Sequence, residues 1–133
     1  QEQGKIRHIG LSNVTEEQIR EALQVAPIVS IQNKYNLVDR TSESLVDLCE
    51  QEGLVFIPWG PIRELGDGPV TEIARRYGAT PHQVALAWML RRSPAMLLIP
   101  GTSSVAHLEE NIAAVDVPLT EADVATLTNL PSA

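Results

Sequence analysis

The chain has few aromatic residues, 4% of its 133 positions, so its core is expected to rest on Leu, Ile, Val and Ala. It has one cysteine, Cys49. That excludes an internal disulfide and points to a reducing compartment, the cytoplasm. Cys49 falls in the helical pattern Leu45-Val46-Asp47-Leu48-Cys49, where a buried thiol is the ordinary outcome. No apolar run approaches the roughly 20 residues of a membrane span, and no signal peptide is visible. Basic clusters are missing as well. Arg75-Arg76 and Arg91-Arg92 are isolated pairs, read as solvated helix ends, in a chain of formal charge −7. Neither nucleic acid nor a membrane is an expected partner. The three histidines, His8, His82 and His107, show no metal-ligand spacing, so no metal is expected. His8 is read as a structural histidine inside the first strand, and His82 as an exposed residue of a helix's first turn. The sequence opens at Gln1 without a methionine and soon enters a strand pattern, so a truncated chain or a portion of a longer enzyme is the expectation.

What is present is alternation. Apolar residues make up 44% and charged residues 20%, ordinary values for a globular chain. The length suits a single domain, residues 1–133, with a real core. Short β-rich runs at 6–11, 28–32, 54–58 and 95–99 alternate with helical patterns at 15–25, 42–51, 69–77, 81–91, 104–114 and 121–129. Thr15 with Gln18 forms a capping box, Thr80-Pro81 places proline at the first helical position, and Thr120 caps the last helix. Gly53 closes the second helix. A loop rich in Gly and Pro spans 59–68. Four βα units imply a parallel sheet with right-handed crossovers. A doubly wound open sheet and a segment of a barrel both accept this pattern. No Gly-x-Gly-x-x-Gly follows the first strand, which weakens the dinucleotide-binding open sheet. Polar residues gather at strand C-termini (Ser12-Asn13, Gln32-Asn33, Trp59-Gly60, Gly101-Thr102), where barrels place their working groups. The expected fold class is therefore α/β, with about four strands and five to six helices forming half of a TIM (β/α)₈ barrel.

The stretch 96–115, MLLIPGTSSVAHLEENIAAV, is the most informative. A strand that passes through a small-residue turn into a helix start is an anion site, because free N–H groups and the positive end of the helix dipole converge there. Simple helix capping by Thr102, Ser103 and Ser104 is compatible with that role. For Asn13 and Asn33 the plain alternative is turn and helix capping. For Trp59 the alternative is core, and for Glu110 and Asn111 it is a solvated helix face.

Four strings carry a resemblance: Gly10-Leu11-Ser12-Asn13, Ile31-Gln32-Asn33-Lys34-Tyr35-Asn36, Ile57-Pro58-Trp59-Gly60-Pro61, and Ile99-Pro100-Gly101-Thr102 with Glu110-Asn111. In this order, each at a strand end, they resemble the C-terminal half of the aldo/keto reductases. The resemblance implies a (β/α)₈ barrel and NADP(H), with NAD(H) also possible. It implies reduction of an aldehyde or ketone as a small-molecule substrate. By the same resemblance Ser12, Asn13 and Gln32 hold the nicotinamide carboxamide. Trp59 stacks on the ring, beside Gly60 and Pro61. Gly101, Thr102, Ser103 and Ser104 meet the adenosine-side phosphate, and Glu110 and Asn111 the adenine edge. Many members carry lysine where Gly101 stands and arginine where His107 stands, which leaves His107 as the nearest cationic candidate for a 2′-phosphate. The family's catalytic Asp, Tyr, Lys and His lie on earlier strands, so no catalytic residue is expected here and Tyr35 matches a structural tyrosine. The other reading is a stand-alone half-barrel that binds or scaffolds, self-associating through open sheet edges and an apolar inner face.

Overall fold

The computed structural model describes residues 1–62, 65 and 68–132. The elements run β1 (Ile9–Ser12), α1 (Glu16–Val25), β2 (Ile28–Gln32), α2 (Glu43–Glu52), β3 (Val55–Phe56), α3 (Pro69–Tyr77), α4 (Pro81–Arg92), α5 (Val105–Ala113), a 3₁₀ turn (Ala114–Asp116) and α6 (Glu121–Thr128). The strands lie in the order β1-β2-β3, all parallel.

Local chemistry explains most of the boundaries. Thr15, Thr80 and Thr120 each accept from the N–H three residues on, and Gln18, Gln83 and Asp123 return the bond to the cap. Two otherwise orphaned donors are thereby satisfied at each helix start. Gly53 ends α2 at φ 68°, a left-handed position that glycine takes without a Cβ clash.

Three departures from the sequence reading have physical causes. The first strand starts at Ile9, so His8 lies outside it and is exposed; it is not a buried structural histidine. The third strand is cut to two residues. Pro58 has no N–H to donate, and beyond it the ladder resumes as single rungs, Ile57 N–H to Ile31 O at 2.8 Å and Trp59 N–H to Asn33 O at 3.0 Å. The expected fourth strand, 95–99, is reduced to one parallel bridge, Phe56 with Met96. Phe56 N–H reaches Ala95 O at 2.8 Å and Leu97 N–H reaches Phe56 O at 2.9 Å. A segment hydrogen-bonded on one side only, to a two-residue strand, and ending at Pro100 sustains no longer ladder. Three regular strands therefore stand where four were expected, while the α-helices number six among the described residues. Within the loop 59–68, residues 63, 64, 66 and 67 lie outside the described ones.

The aromatic residues do more in the core than their number suggests. Tyr35, fully buried, stacks on Trp88 at 5.9 Å and meets Phe56 edge-on at 5.8 Å. These three join the segment after β2 to β3 and α4, in one core cluster with Ile19, Ile31, Leu37, Val46 and Leu86. Arg40 lies over the Trp88 ring at 5.0 Å and donates to Leu37 O and Leu127 O, tying the loop after β2 to α6. Within the arginine pairs, Arg76, Arg91 and Arg92 are ion-paired. Arg76 meets Asp123, Arg91 meets Glu121, and Arg92 meets both Glu43 and Asp47. Leu11, Ile31 and Phe56 share the helix-covered face of the sheet. The other face presents Gly10, Ser12, Ser30, Gln32 and Val55, so it is less apolar than the sequence suggested.

Candidate functional site

The ends of the parallel strands converge at one edge of the sheet, as parallel crossovers require. Ser12 closes β1 and lies opposite Gln32, which closes β2. Gly10, two positions earlier, lies opposite Ser30, and a Cβ there would overlap the Ser30 hydroxyl and approach its carbonyl. Glycine at this position lets the first two strand ends approach closely.

Past Ser12 the chain turns at Asn13 with φ 54°, a left-handed conformation that Asn tolerates better than most residues. The Asn13 N–H donates to Gln32 O at 3.0 Å. Its side chain bridges two neighbours: Nδ2 donates to Ser12 Oγ at 3.3 Å, and Oδ1 accepts from Trp59 Nε1 at 2.9 Å. Trp59 sits at the end of the β3 extension, in register with Lys34. Ser12, Asn13, Gln32 and Trp59 are thus brought together, with Asn13 at the centre. The Gln32 amide and the Ser12 O–H keep hydrogen-bonding capacity, since nothing among the described residues accepts from either.

Two asparagines brace this edge. Asn33, 9% exposed, clamps the backbone of Val14, accepting from its N–H at 3.1 Å and donating to its carbonyl at 2.9 Å. Asn36, fully buried, accepts from the N–H groups of Val38 and Asp39 and donates to Gly60 O at 3.1 Å. Gly60 has φ 66°, and Pro61 is buried beside it. Asn36 as a brace was not foreseen; its Asx-turn geometry with Val38 and Asp39 is the signal that points to it. On the rim, Lys34 Nζ pairs with Asp39 at 2.8 Å, and the bonds from Lys34 and Thr41 hold the Asp39 carboxyl below its ordinary range.

The second group, Gly101 to Asn111, is built differently. Thr102 Oγ1 accepts from Ser104 N–H at 3.1 Å, and Ser104 Oγ accepts from His107 N–H at 3.4 Å, capping α5. Among the described residues nothing accepts from the Val105 and Ala106 N–H groups, so the helix start keeps two donors. Gly101, Thr102, Ser103, His107 and Glu110 are exposed. The Glu110 carbonyl accepts from Gln83 Nε2 at 3.0 Å, holding α5 to α4. Asn111 is half-buried on an open groove of about 480 Å³ with Leu90, Leu97, Ile99, Leu108 and Ile112. From Ser93 to the last residue there is no Lys or Arg. Among the described residues no hydrogen bond joins this group to the strand-end cluster.

Other reactive side chains are committed elsewhere. Burial, and then the bond to Glu43 at 2.8 Å, push the Tyr35 hydroxyl far above its usual range, so it is a poor proton donor. Burial pushes the Cys49 thiol up to about 11, which leaves it unreactive. No cluster of three metal-ligating side chains occurs among the described residues, and no helix among them is long and apolar enough to cross a membrane.

Comparisons with known proteins agree with the parallel α/β fold. A family model described as the aldo/keto reductase family matches residues 1–66 and 64–131. Pyridoxine 4-dehydrogenase of Escherichia coli is 48% identical over 130 residues, covering 96% of this chain and 46% of that protein. The solved structure of a thermostable aldo-keto reductase, Tm1743, in complex with the inhibitor epalrestat superposes with a TM-score of 0.90. It is 35% identical and is matched over 97% of this chain and 50% of its own. An aldo-keto reductase from Klebsiella pneumoniae, solved in complex with NADPH, gives a TM-score of 0.89 at 29% identity, over 99% and 51% of the two chains. The chain spans about half the length of the relatives it matches.

Proposed function

The chain belongs to the aldo/keto reductase family, and from that premise we propose that it forms the C-terminal half of a (β/α)₈ barrel that reduces aldehydes or ketones to alcohols with NADP(H), or with NAD(H). The observation that carries this reading is the cluster of Ser12, Asn13, Gln32 and Trp59 at adjacent strand ends. A free hydroxyl, a free amide and an indole ring form a donor set suited to a flat pyridine ring bearing a carboxamide. When bound, the dinucleotide supplies hydride to the carbonyl carbon. Ser12 and Gln32 hold the carboxamide and so fix which ring face is presented, while Trp59 covers the ring and keeps water from it. Thr102, Ser103 and the open N–H groups of α5 receive the adenosine-side phosphate, with Gly101 allowing close approach and His107 nearby. Glu110 and Asn111 lie toward the adenine.

Proton delivery to the carbonyl oxygen is not assigned to any residue of this chain. Tyr35 is buried and bonded to Glu43, so the 133 residues alone are expected to bind the dinucleotide without reducing carbonyls. The test is a titration of NADPH into the protein, followed by dinucleotide emission, beside an assay of NADPH oxidation with aldehyde. Saturable binding that weakens about tenfold in Gln32→Ala, without turnover, is the expected result. Carbonyl-dependent oxidation abolished by Ser12→Ala with Asn13→Ala overturns the assignment.

The apolar groove between α5 and the 96–99 segment favours a second reading, a self-associating half-barrel. Leu97, Ile99, Leu108 and Ile112 are 53%, 43%, 49% and 66% exposed, a contiguous patch of the kind that marks an interface. A discrete dimer in light scattering supports that reading, and a monomer removes it.

A further inference from the structure

The bonds around Asn13 have a direction, and one residue sets it. An indole N–H donates and never accepts. Trp59 Nε1 lies 2.9 Å from the Asn13 side chain, so the atom it meets must be the amide oxygen. With Oδ1 held there, Nδ2 faces Ser12 and donates to its Oγ at 3.3 Å. A hydroxyl has a single proton; once Ser12 Oγ accepts from Asn13, that proton is free to be donated outward, away from Asn13. Each bond in the series therefore runs the same way, from Trp59 through Asn13 to Ser12.

We infer that Trp59 is a positioning residue that polarises this three-residue hydrogen-bond relay, so that Ser12 presents a donor and the strand end selects pyridine rings whose 3-substituent carries an acceptor oxygen. The inference rests on the reading of the cluster as a nicotinamide cradle and adds a rule of selection to it. A ring at position 59 without an N–H, such as Phe, could still stack but would leave the Asn13 amide free to turn over. The Ser12 proton would then point either way. Aspartate at position 13, close in shape to Asn, would still accept from Trp59 but could give Ser12 nothing. Ser12 would donate to it and show a lone pair outward, which reverses the relay.

The experiment measures dissociation constants of the full chain for three oxidised dinucleotides that share one ring charge: NADP⁺, its 3-acetylpyridine analogue and its 3-aminopyridine analogue. The first two carry an acceptor oxygen, and the third carries a donor instead. The unsubstituted protein is expected to bind the acetyl analogue within a few-fold of NADP⁺ and the amino analogue roughly tenfold more weakly. Trp59→Phe should compress that ratio toward unity, and Asn13→Asp should invert it. The Trp59 indole N–H resonance, read without any dinucleotide, is expected to be protected from exchange in the native protein and in Asn13→Asp, and to lose protection in Asn13→Ala. An unchanged ratio in Trp59→Phe, or an unprotected indole N–H in the native protein, overturns the relay while leaving the cradle standing. Failure of the unsubstituted protein to bind any of the three overturns both.

Discussion

The two parts of the candidate site are built on opposite principles. At the strand ends, bonds reach across the chain. Asn13 meets Gln32, Asn33 clamps Val14, and Trp59 reaches back 46 positions to Asn13. In the arm from Gly101 to Asn111, side-chain bonds close within two or three residues, and among the described residues Gln83 alone ties it outward by a side-chain bond. The first part is cross-braced before a ligand arrives, which lowers the entropy it would lose on binding one. The second keeps open donors and has fewer cross-chain bonds, so a ligand held there would spend more binding energy on ordering it. Under the proposed function, the reacting ring would meet a fixed frame and the distal end of the cofactor an adaptable one.

Removing the frame's main brace gives the largest expected effect. Asn33→Ala strips both bonds from the Val14 backbone in a nearly buried position. Unfolding in urea should show a loss of about 2–3 kcal/mol, with NADPH affinity falling alongside. The matching change in the arm, Ser104→Ala, removes one helix cap and should cost about 1 kcal/mol. Equal losses in the two variants would erase the contrast.

Acid sharpens the same comparison. The strand-end bonds join amides and an indole, which do not titrate, whereas α6, beyond the arm, is fastened by a carboxylate. Burial opposes ionisation of Asp123, yet hydrogen bonds from Thr120, Tyr77 and Arg76 hold its carboxyl well below the usual range. A carboxyl depressed in the folded state adds stability that is complete above the unfolded value near 4 and is lost as pH falls below it. Hydrogen exchange between pH 7 and 3 should therefore loosen α3 and α6 before β1 and β2. Asp123→Asn at neutral pH is expected to cost about 1.5 kcal/mol, since Arg76 is half exposed and its share is screened.

The same contrast decides what the sequence could reveal. Local devices were legible: the capping box at Thr15, the capping threonines at 80 and 120, the closing Gly53, and the burial of Cys49 all follow from a few adjacent residues. The gathering of Ser12, Asn13, Gln32 and Trp59 at strand ends was legible because each closes or follows an apolar run. Their mutual bonds were not, because the 46-residue separation between Asn13 and Trp59 is set by how β1 and β3 flank β2. Asn33 illustrates the limit: its type suggests a cap, and the fold makes it a clamp on another strand's exit. The segment 95–99 failed as a strand for a related reason. Its composition suits a strand, but a ladder needs partners, and Phe56 offers a single rung. His8 shifted out of β1 because apolar patterning fixes a strand's existence better than its first residue.

The smallest effect tests the adaptable end. The region after Arg92 holds Glu109, Glu110, Asp116, Glu121 and Asp123 with no Lys or Arg, so a 2′-phosphate there gains only hydroxyls, two N–H groups and His107. A guanidinium at position 107, in the exposed first turn of α5, would add a fixed charge and two parallel donors. His107→Arg should tighten NADPH roughly fivefold, with NADH nearly unaffected, the modest size reflecting an exposed pair screened by salt. Raising the salt concentration should shrink the gain. A gain shared equally by both dinucleotides would place the 2′-phosphate away from α5 and would leave the arm with general electrostatics as its only part in binding.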